Sequence, residues 1–277
     1  MQVVRELSGV ATVDGAGRRR SGITGWVVAH SKFFIGLGGL LAVAVAWQIC
    51  AGLHVVDPFF SSSPTKVISA EIQYFQHGTG LSDVGTTAKE FGIGILLSVV
   101  VGVPLGLAIG YYRFVSATCD PLINLLYQTP FVALAPVAIL WFGIGLEAKV
   151  ALAFAGSVSP IVIATSAGVR TVERSLLNVA RVYRANDFQI FRTLILPGTI
   201  PSIVSGIRLG VGLALVGTIA VEMVASSSGL GDTIQAAGNA QQIGLMFAAI
   251  AVVSVFGMVV SIALRLVGQR VDRWRVL

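Results

Sequence analysis

Few side chains in this sequence could do chemistry, and most of those that could lie in long apolar runs. Gln128, Thr129, Ser157, Ser159, Thr165, Thr218 and Glu222 are polar groups inside or at the ends of such runs, joined by one cation, Arg208. Pro130, Pro136 and Pro160 stand nearby, and a proline removes a backbone donor and frees a carbonyl. Hydroxyls, amides and freed carbonyls are what a path for a polar solute through an apolar phase needs. The same Ser and Thr side chains also suit bonds to their own backbone or to a neighbouring helix. What enzymes need is missing. His30, His54 and His77 lie at or outside the ends of the apolar runs, which argues against haem, intramembrane metal and a Ser–His pair at depth. No G-x4-G-K-[ST] phosphate loop occurs, so ATP chemistry has to come from a partner. Cys50 and Cys119 have neither metal-ligand nor disulfide-framework spacing. No catalytic residue, metal site or cofactor is expected in this chain.

The elements that position these groups follow from composition. With 55% hydrophobic and 12% charged residues and a mean hydropathy of +0.85, the chain is outside the range of soluble domains. A bilayer core about 30 Å thick needs about 20 apolar residues as helix. That length predicts an all-α polytopic protein with spans at Phe33–Leu53, Thr86–Tyr111, Leu122–Phe142, Ala148–Ala167, Ser202–Val224 and Ile243–Leu266. Residues 1–32 form an N-terminal segment, 33–266 the six-helix domain and 267–277 a basic tail. Basic residues near span ends are retained in the cytoplasm. Placing both termini there puts every Lys and Arg inside except Lys66, Lys89, Lys149 and the intraspan Arg208. The net charge of +6 then reflects loops beside anionic lipid and requires no nucleic acid.

Two outer segments carry patterns. After "SSSPTK", Val67, Ile68, Ile72 and Phe75 recur at helical spacing, which predicts a short amphipathic helix at the outer interface. In "SSSGLGDTIQAAGNAQQ", Gly229 and Gly231 mark a turn and Asp232 is an N-cap for a short helix over Thr233–Ala240.

The largest predicted cytoplasmic loop, residues 173–197, lies between the fourth and fifth spans. Leu176, Val179, Ala180 and Tyr183 form one helical stripe, Asn186 and Asp187 supply turn or cap chemistry, and Phe188, Phe191 and Ile195 form a second stripe. Pro197 is expected to stop the second helix and Pro201 to start the next span from a fixed corner. Such a stripe needs lipid or a protein groove to cover it.

This loop resembles that of the membrane permeases of binding-protein-dependent ABC importers, whose motif reads E-A-A-x3-G-x9-I-x-L-P. The motif falls on Asn178, Val179, Ala180, Arg184, Leu194, Leu196 and Pro197, with both spacings kept. Asn178 replaces Glu, Val179 Ala, Arg184 Gly and Leu194 Ile. The Gly position favours a left-handed backbone, so either Arg184 bears that conformation or the turn moves to Asn186. "GIGILLSVVVGVPLGLAIG", "DPLINLLYQTPFVALAPVAILWFGIG" and "SGIRLGVGLALVGTIAVEM" are similar to the nitrate/sulfonate/taurine branch. The resemblance implies a permease that pairs with a second permease subunit, with a homodimer favoured. It also implies ABC ATPase subunits that hold ATP and Mg at the loop, with Ala180, Tyr183, Arg184, Asn186 and Phe188 nearest the contact. An extracytoplasmic solute-binding protein would deliver a small anion across the bacterial inner membrane.

The rival is a secondary transporter or channel without an ATPase. Such proteins show internal repeats, broken helices in pairs and coupling carboxylates in mid-membrane, and none is evident in the sequence. Arg208 and Glu222 are about 21 Å apart along one helix, so they cannot pair there. Arg208 either snorkels to the interface or faces the pathway, and Glu222 is expected to be a hydrogen-bonding or gating residue that holds the outer loop.

Overall fold

In the computed structural model, residues 22–53 and 62–272 are described, and every regular element among them is helical. Most of the expected N-terminal segment and the end of the basic tail lie outside the described residues. Helix α1 (Gly22–Gly52) covers the first expected span and belongs to a compact unit of its own. The second unit contains α2 (Pro64–His77), α3 (Gly80–Tyr111), α4 (Arg113–Gln128), α5 (Ala135–Phe142), α6 (Leu146–Arg170), α7 (Arg174–Val182), α8 (Asp187–Ile190), α9 (Leu196–Ala225), α10 (Leu230–Asn239) and α11 (Ile243–Asp272). Among the described residues, α3, α6, the continuous helical run Asp187–Ala225 and α11 are long and apolar enough to cross a bilayer. The α4–α5 region makes a fifth span if its two bent parts are counted together.

Helix α6 is the centre of this unit, packed between α3 and α9. Small residues four apart on α3 (Gly94, Ser98, Gly102, Gly106 and Gly110) meet the matching row Ala153, Ser157, Ile161, Thr165 and Val169 of α6. The approach is so close that a Cβ on Gly94 would lie 2.5 Å from the Ala153 Cβ, and one on Gly106 2.7 Å from the Thr165 Cβ. On the other side a Cβ on Gly206 of α9 would lie 2.7 Å from the Ala164 Cβ. Close backbone approach is how apolar helices associate where burial from water is not available as a driving force.

Three expectations are corrected. The third span is not one helix: α4 and the segment Phe131–Phe142 meet at 86°. Pro130 forces its predecessor out of helical geometry, and Thr129 is extended at φ −69°, ψ 130°. Pro197 does not stop a helix, because the run from Asp187 to Ala225 is continuous. A π turn over Phe191–Ile195 absorbs the register change, with the Leu196 N–H reaching back to the Phe191 carbonyl. Finally, α10 begins at Leu230 with Gly229 at the N-cap, so Asp232 sits inside the first turn and does not cap it.

Helix α2 forms where the amphipathic pattern places it, with the Ser63 hydroxyl accepting from the Lys66 N–H at 3.4 Å. Val67 and Tyr74 turn inward, whereas Ile68 and Ile72 are exposed.

Candidate functional site

At one end of the bundle, α7 closes in a Schellman turn. The Arg184 N–H donates to the Arg181 carbonyl at 2.9 Å and the Ala185 N–H to the Ala180 carbonyl at 3.0 Å. Arg184 carries the left-handed backbone at φ +58°, so of the two alternatives the turn stays at the motif's Gly position. Asn186, at φ −75°, opens α8 with a capping box: its side chain accepts from the Gln189 N–H at 2.8 Å, and Gln189 accepts from the Asn186 N–H at 2.9 Å.

This loop has two faces. Leu177, Ala180, Ala185, Phe191, Leu194 and Leu196 pack around Leu107, Val169, Ile190 and Ile195, which pins the loop to the ends of α3 and α6. Leu176, Val179, Val182, Tyr183 and Phe188 point away, and Val182 and Tyr183 are more than 80% exposed. Asn178 and Pro197 are also exposed. Ala180 therefore belongs to the inner face, and Phe191 and Ile195 do not share a surface with Phe188.

At the opposite end, the first turn of α10 is held by side chains from two other helices. Gly229 N–H donates to Asp83 Oδ1 at 3.1 Å, Leu230 N–H to Thr87 Oγ1 at 3.0 Å and Gly231 N–H to Glu222 Oε2 at 2.7 Å. Thr87 in turn donates to Glu222 Oε1 at 2.7 Å. Asp83 also accepts from Tyr74 at 2.7 Å, Thr79 at 2.5 Å and Thr233 at 3.1 Å. Burial pushes the Tyr74 hydroxyl up from its ordinary value, which keeps it a donor. Orphan N–H groups and the helix dipole both favour the carboxylates here. Gly229 has φ +110°, and a Cβ on Gly231 would lie 2.6 Å from the Glu222 Cβ, so both glycines are required by the close fit. Asp232 is half-buried beside this turn.

The remaining candidates separate by packing. Ser157 bonds the Ser98 hydroxyl at 2.6 Å and the Ala153 carbonyl at 2.7 Å, and Thr218 bonds the Ala214 carbonyl at 3.1 Å. Both are fully buried helix contacts, and Thr165 is buried against Gly106. Arg208 is exposed, with a guanidinium nitrogen 3.8 Å from where a Gly268 Cβ would stand near the end of α11. Gln128, Thr129 and Ser159 come together: with Tyr127, Gly156 and Leu213 they line a cavity of about 350 Å³ at the α4–α5 elbow.

The family model for the binding-protein-dependent transport system inner membrane component matches residues 102–273, a stretch that includes the elbow, the loop and α10. The chain belongs to this permease family. The taurine transport system permease protein TauC of Escherichia coli is 28% identical over 245 residues, covering 87% of this chain and 89% of TauC. A Bacillus subtilis protein described as an aliphatic sulfonates transport permease, SsuC, is 31% identical over 240 residues, with 86% and 87% covered. Among solved structures, a bacterial alginate ABC transporter in complex with an alginate pentasaccharide-bound periplasmic protein shares the fold. Its TM-score is 0.55 at 15% identity, over 89% of this chain and 96% of that one. The chain is thus a permease component of an ABC import system, and the relatives it matches are transport permeases.

Sequence reasoning overlooked four residues of this permease. Asp83 and Thr87 hold α10, and Glu90 pairs with Lys149 at 2.6 Å in a buried ion pair, their side chains only 6% exposed. The bundle interior therefore does contain a paired carboxylate, and Lys149, assigned to an outer loop, is buried in the first turn of α6. The i, i+3 spacing of Thr87 and Glu90 is the one signal that could have marked that face of α3.

Proposed function

We propose that this permease is one of two membrane subunits, most simply two copies of this chain, of an ATP-driven importer for a small anionic solute of the sulfonate class. Six spans with both termini cytoplasmic place the α7–α8 loop inside and α10 outside. A separate ATPase, which binds ATP and Mg, takes the loop, and an extracytoplasmic binding protein delivers the solute to the outer face.

The observation that carries this reading is the two-faced loop. Its inner face is fixed to the ends of α3 and α6, so the outward stripe Val179, Val182, Tyr183 and Phe188 is held on a rigid base where a push from a partner reaches the spans. The names of TauC and SsuC support the sulfonate class, and the periplasmic protein bound to the alginate transporter supports a delivery partner.

The test is co-purification with the cognate ATPase, followed by ATP-dependent uptake of labelled taurine into proteoliposomes containing the binding protein. Phe188→Asp and Val182→Asp should each release the ATPase, since a charge entering an apolar groove is strongly disfavoured. Ala180→Glu is not diagnostic, because Ala180 packs inside the chain itself. Retention of the ATPase by both exposed-residue variants would mean that the stripe lies on lipid, and uptake independent of ATP would point to a secondary transporter.

A further inference from the structure

The elbow between α4 and α5 breaks the backbone ladder at the middle of the bundle. Gly156, which lines its cavity, is ten residues past Leu146 and fourteen before Arg170 at the ends of α6, roughly 15–21 Å from either end. Irregular backbone at that depth is tolerated only where protein covers it or where it lines a water-filled space. The elbow is not fully covered, for Tyr127 and Gln128 are exposed beside it.

Two groups point to an occupant. Ser159 is only 3% exposed, yet its hydroxyl has no partner among the described residues, and the residue lines the cavity. The Ser157 hydroxyl is engaged with Ser98 and Ala153, and that of Thr129 with the Leu125 carbonyl at 2.9 Å. Pro160 has no N–H to give to the Gly156 carbonyl, so that acceptor loses its ladder donor on the cavity wall. A buried polar group normally has a partner: the Ser159 hydroxyl can donate to an acceptor in the cavity, whereas the Gly156 carbonyl takes a donor such as water or an ammonium group.

We propose that this elbow is a substrate-contact subsite, in which the Ser159 hydroxyl and the Gln128 amide donate to the oxygens of a small sulfonate passing through the permease. The proposal rests on the import function proposed above and adds the residues that meet the solute. A sulfonate is weakly basic and carries its charge over three oxygens, so neutral donors can replace part of its hydration. No side chain lining the cavity carries a formal charge. Conduction requires contact firm enough to admit the solute and weak enough to release it, which a fixed cation such as Arg208 would oppose. About 350 Å³ leaves room for such a molecule with some water.

The subsite is tested in the assembled complex with Cys50 and Cys119 replaced by Ala. Ser159→Cys and Thr129→Cys are treated with sulfonatoethyl methanethiosulfonate, a thiol reagent that is itself a small sulfonate. Both cysteines should be modified, and modification should block uptake while the unmodified cysteine-free complex stays active. In parallel, Ser159→Ala should lower the maximal taurine uptake rate about tenfold, as for one lost hydrogen bond to a charged group, with the ATPase still bound. An unreactive Cys at both positions, or normal uptake by Ser159→Ala, overturns the subsite. If the wild-type complex moves no taurine or alkanesulfonate while both cysteines are modified, the subsite stands as a solute contact and the sulfonate assignment falls.

Discussion

Thr87 on α3 and Glu222 on α9 are joined by a 2.7 Å hydrogen bond in the buried interior, although 135 residues separate them in sequence. The Thr87 oxygen also accepts from the Leu230 N–H at 3.0 Å, so one hydroxyl ties α3, α9 and the start of α10 together. Two of the three amides held at that turn depend on this pair, the Gly231 N–H going directly to Glu222.

Thr87→Val keeps the shape and removes both hydrogen bonds, leaving a buried carboxylate oxygen and a buried amide unpaired. A loss of about 1–3 kcal/mol is expected, read as a lower midpoint of thermal unfolding in detergent. Thr87→Ser should recover most of it. An unchanged midpoint for Thr87→Val would show that α10 is held by the Asp83 contacts alone.

The division between what could and could not be read from the sequence follows the range of the interactions. The α7–α8 loop was legible because its determinants are local: apolar spacing within α7, the Schellman position at Arg184 and the Asn186–Gln189 capping box all lie within a few turns. Pro130 signalled a broken backbone, but the angle of the break depends on how α4 and α5 pack against α6. The Asp83–Thr87–Glu222 set and the Glu90–Lys149 pair join segments 59 to 146 residues apart, and periodicity carries no record of such partners. Lys149 misled for a related reason, since a charge at a span boundary counts as exposed until a partner is known to reach it. The glycine row on α3 is intermediate: its period of four is plain in the sequence, whereas the matching row on α6, with Ala, Ser, Ile, Thr and Val, is recognisable only beside it.

Glu90 and Lys149 give a second prediction. Either Glu90→Gln or Lys149→Met alone leaves one buried charge unpaired, at a cost of about 3–5 kcal/mol, whereas removing both charges is much less harmful. Single variants should give little folded protein, and the double variant should recover yield and a cooperative thermal transition. Equal loss in all three would mean that the pair does more than neutralise itself.

A third concerns the turn that the family motif fills with glycine. Arg184 at φ +58° bears a left-handed backbone that costs a non-glycine residue about 1–2 kcal/mol, and a β-branched side chain is worse placed there. Arg184→Gly should assemble with the ATPase at least as well as wild type. Arg184→Val should weaken assembly severalfold in a binding titration against the purified ATPase. Equal affinities for the two variants would show that the turn geometry is not what the partner reads.

Arg208 is the cation of α9, and its surroundings favour the interface over the pathway. It is exposed on α9 with its guanidinium against Gly268, four residues before the last described residue of α11 and so close to that end of the bundle. The elbow cavity is lined from α9 by Leu213 and not by Arg208. A long aliphatic stem that carries its charge toward a helix end is the usual solution for an arginine in an apolar span. Arg208→Gln shortens the side chain and removes the charge without adding an apolar clash. Near-normal taurine uptake by the assembled complex is therefore expected, while Arg208→Leu should change solubilisation behaviour and membrane yield more than transport. A strong fall in uptake by Arg208→Gln, with the ATPase still bound and the amount of complex unchanged, would return Arg208 to the pathway as an anion-facing group.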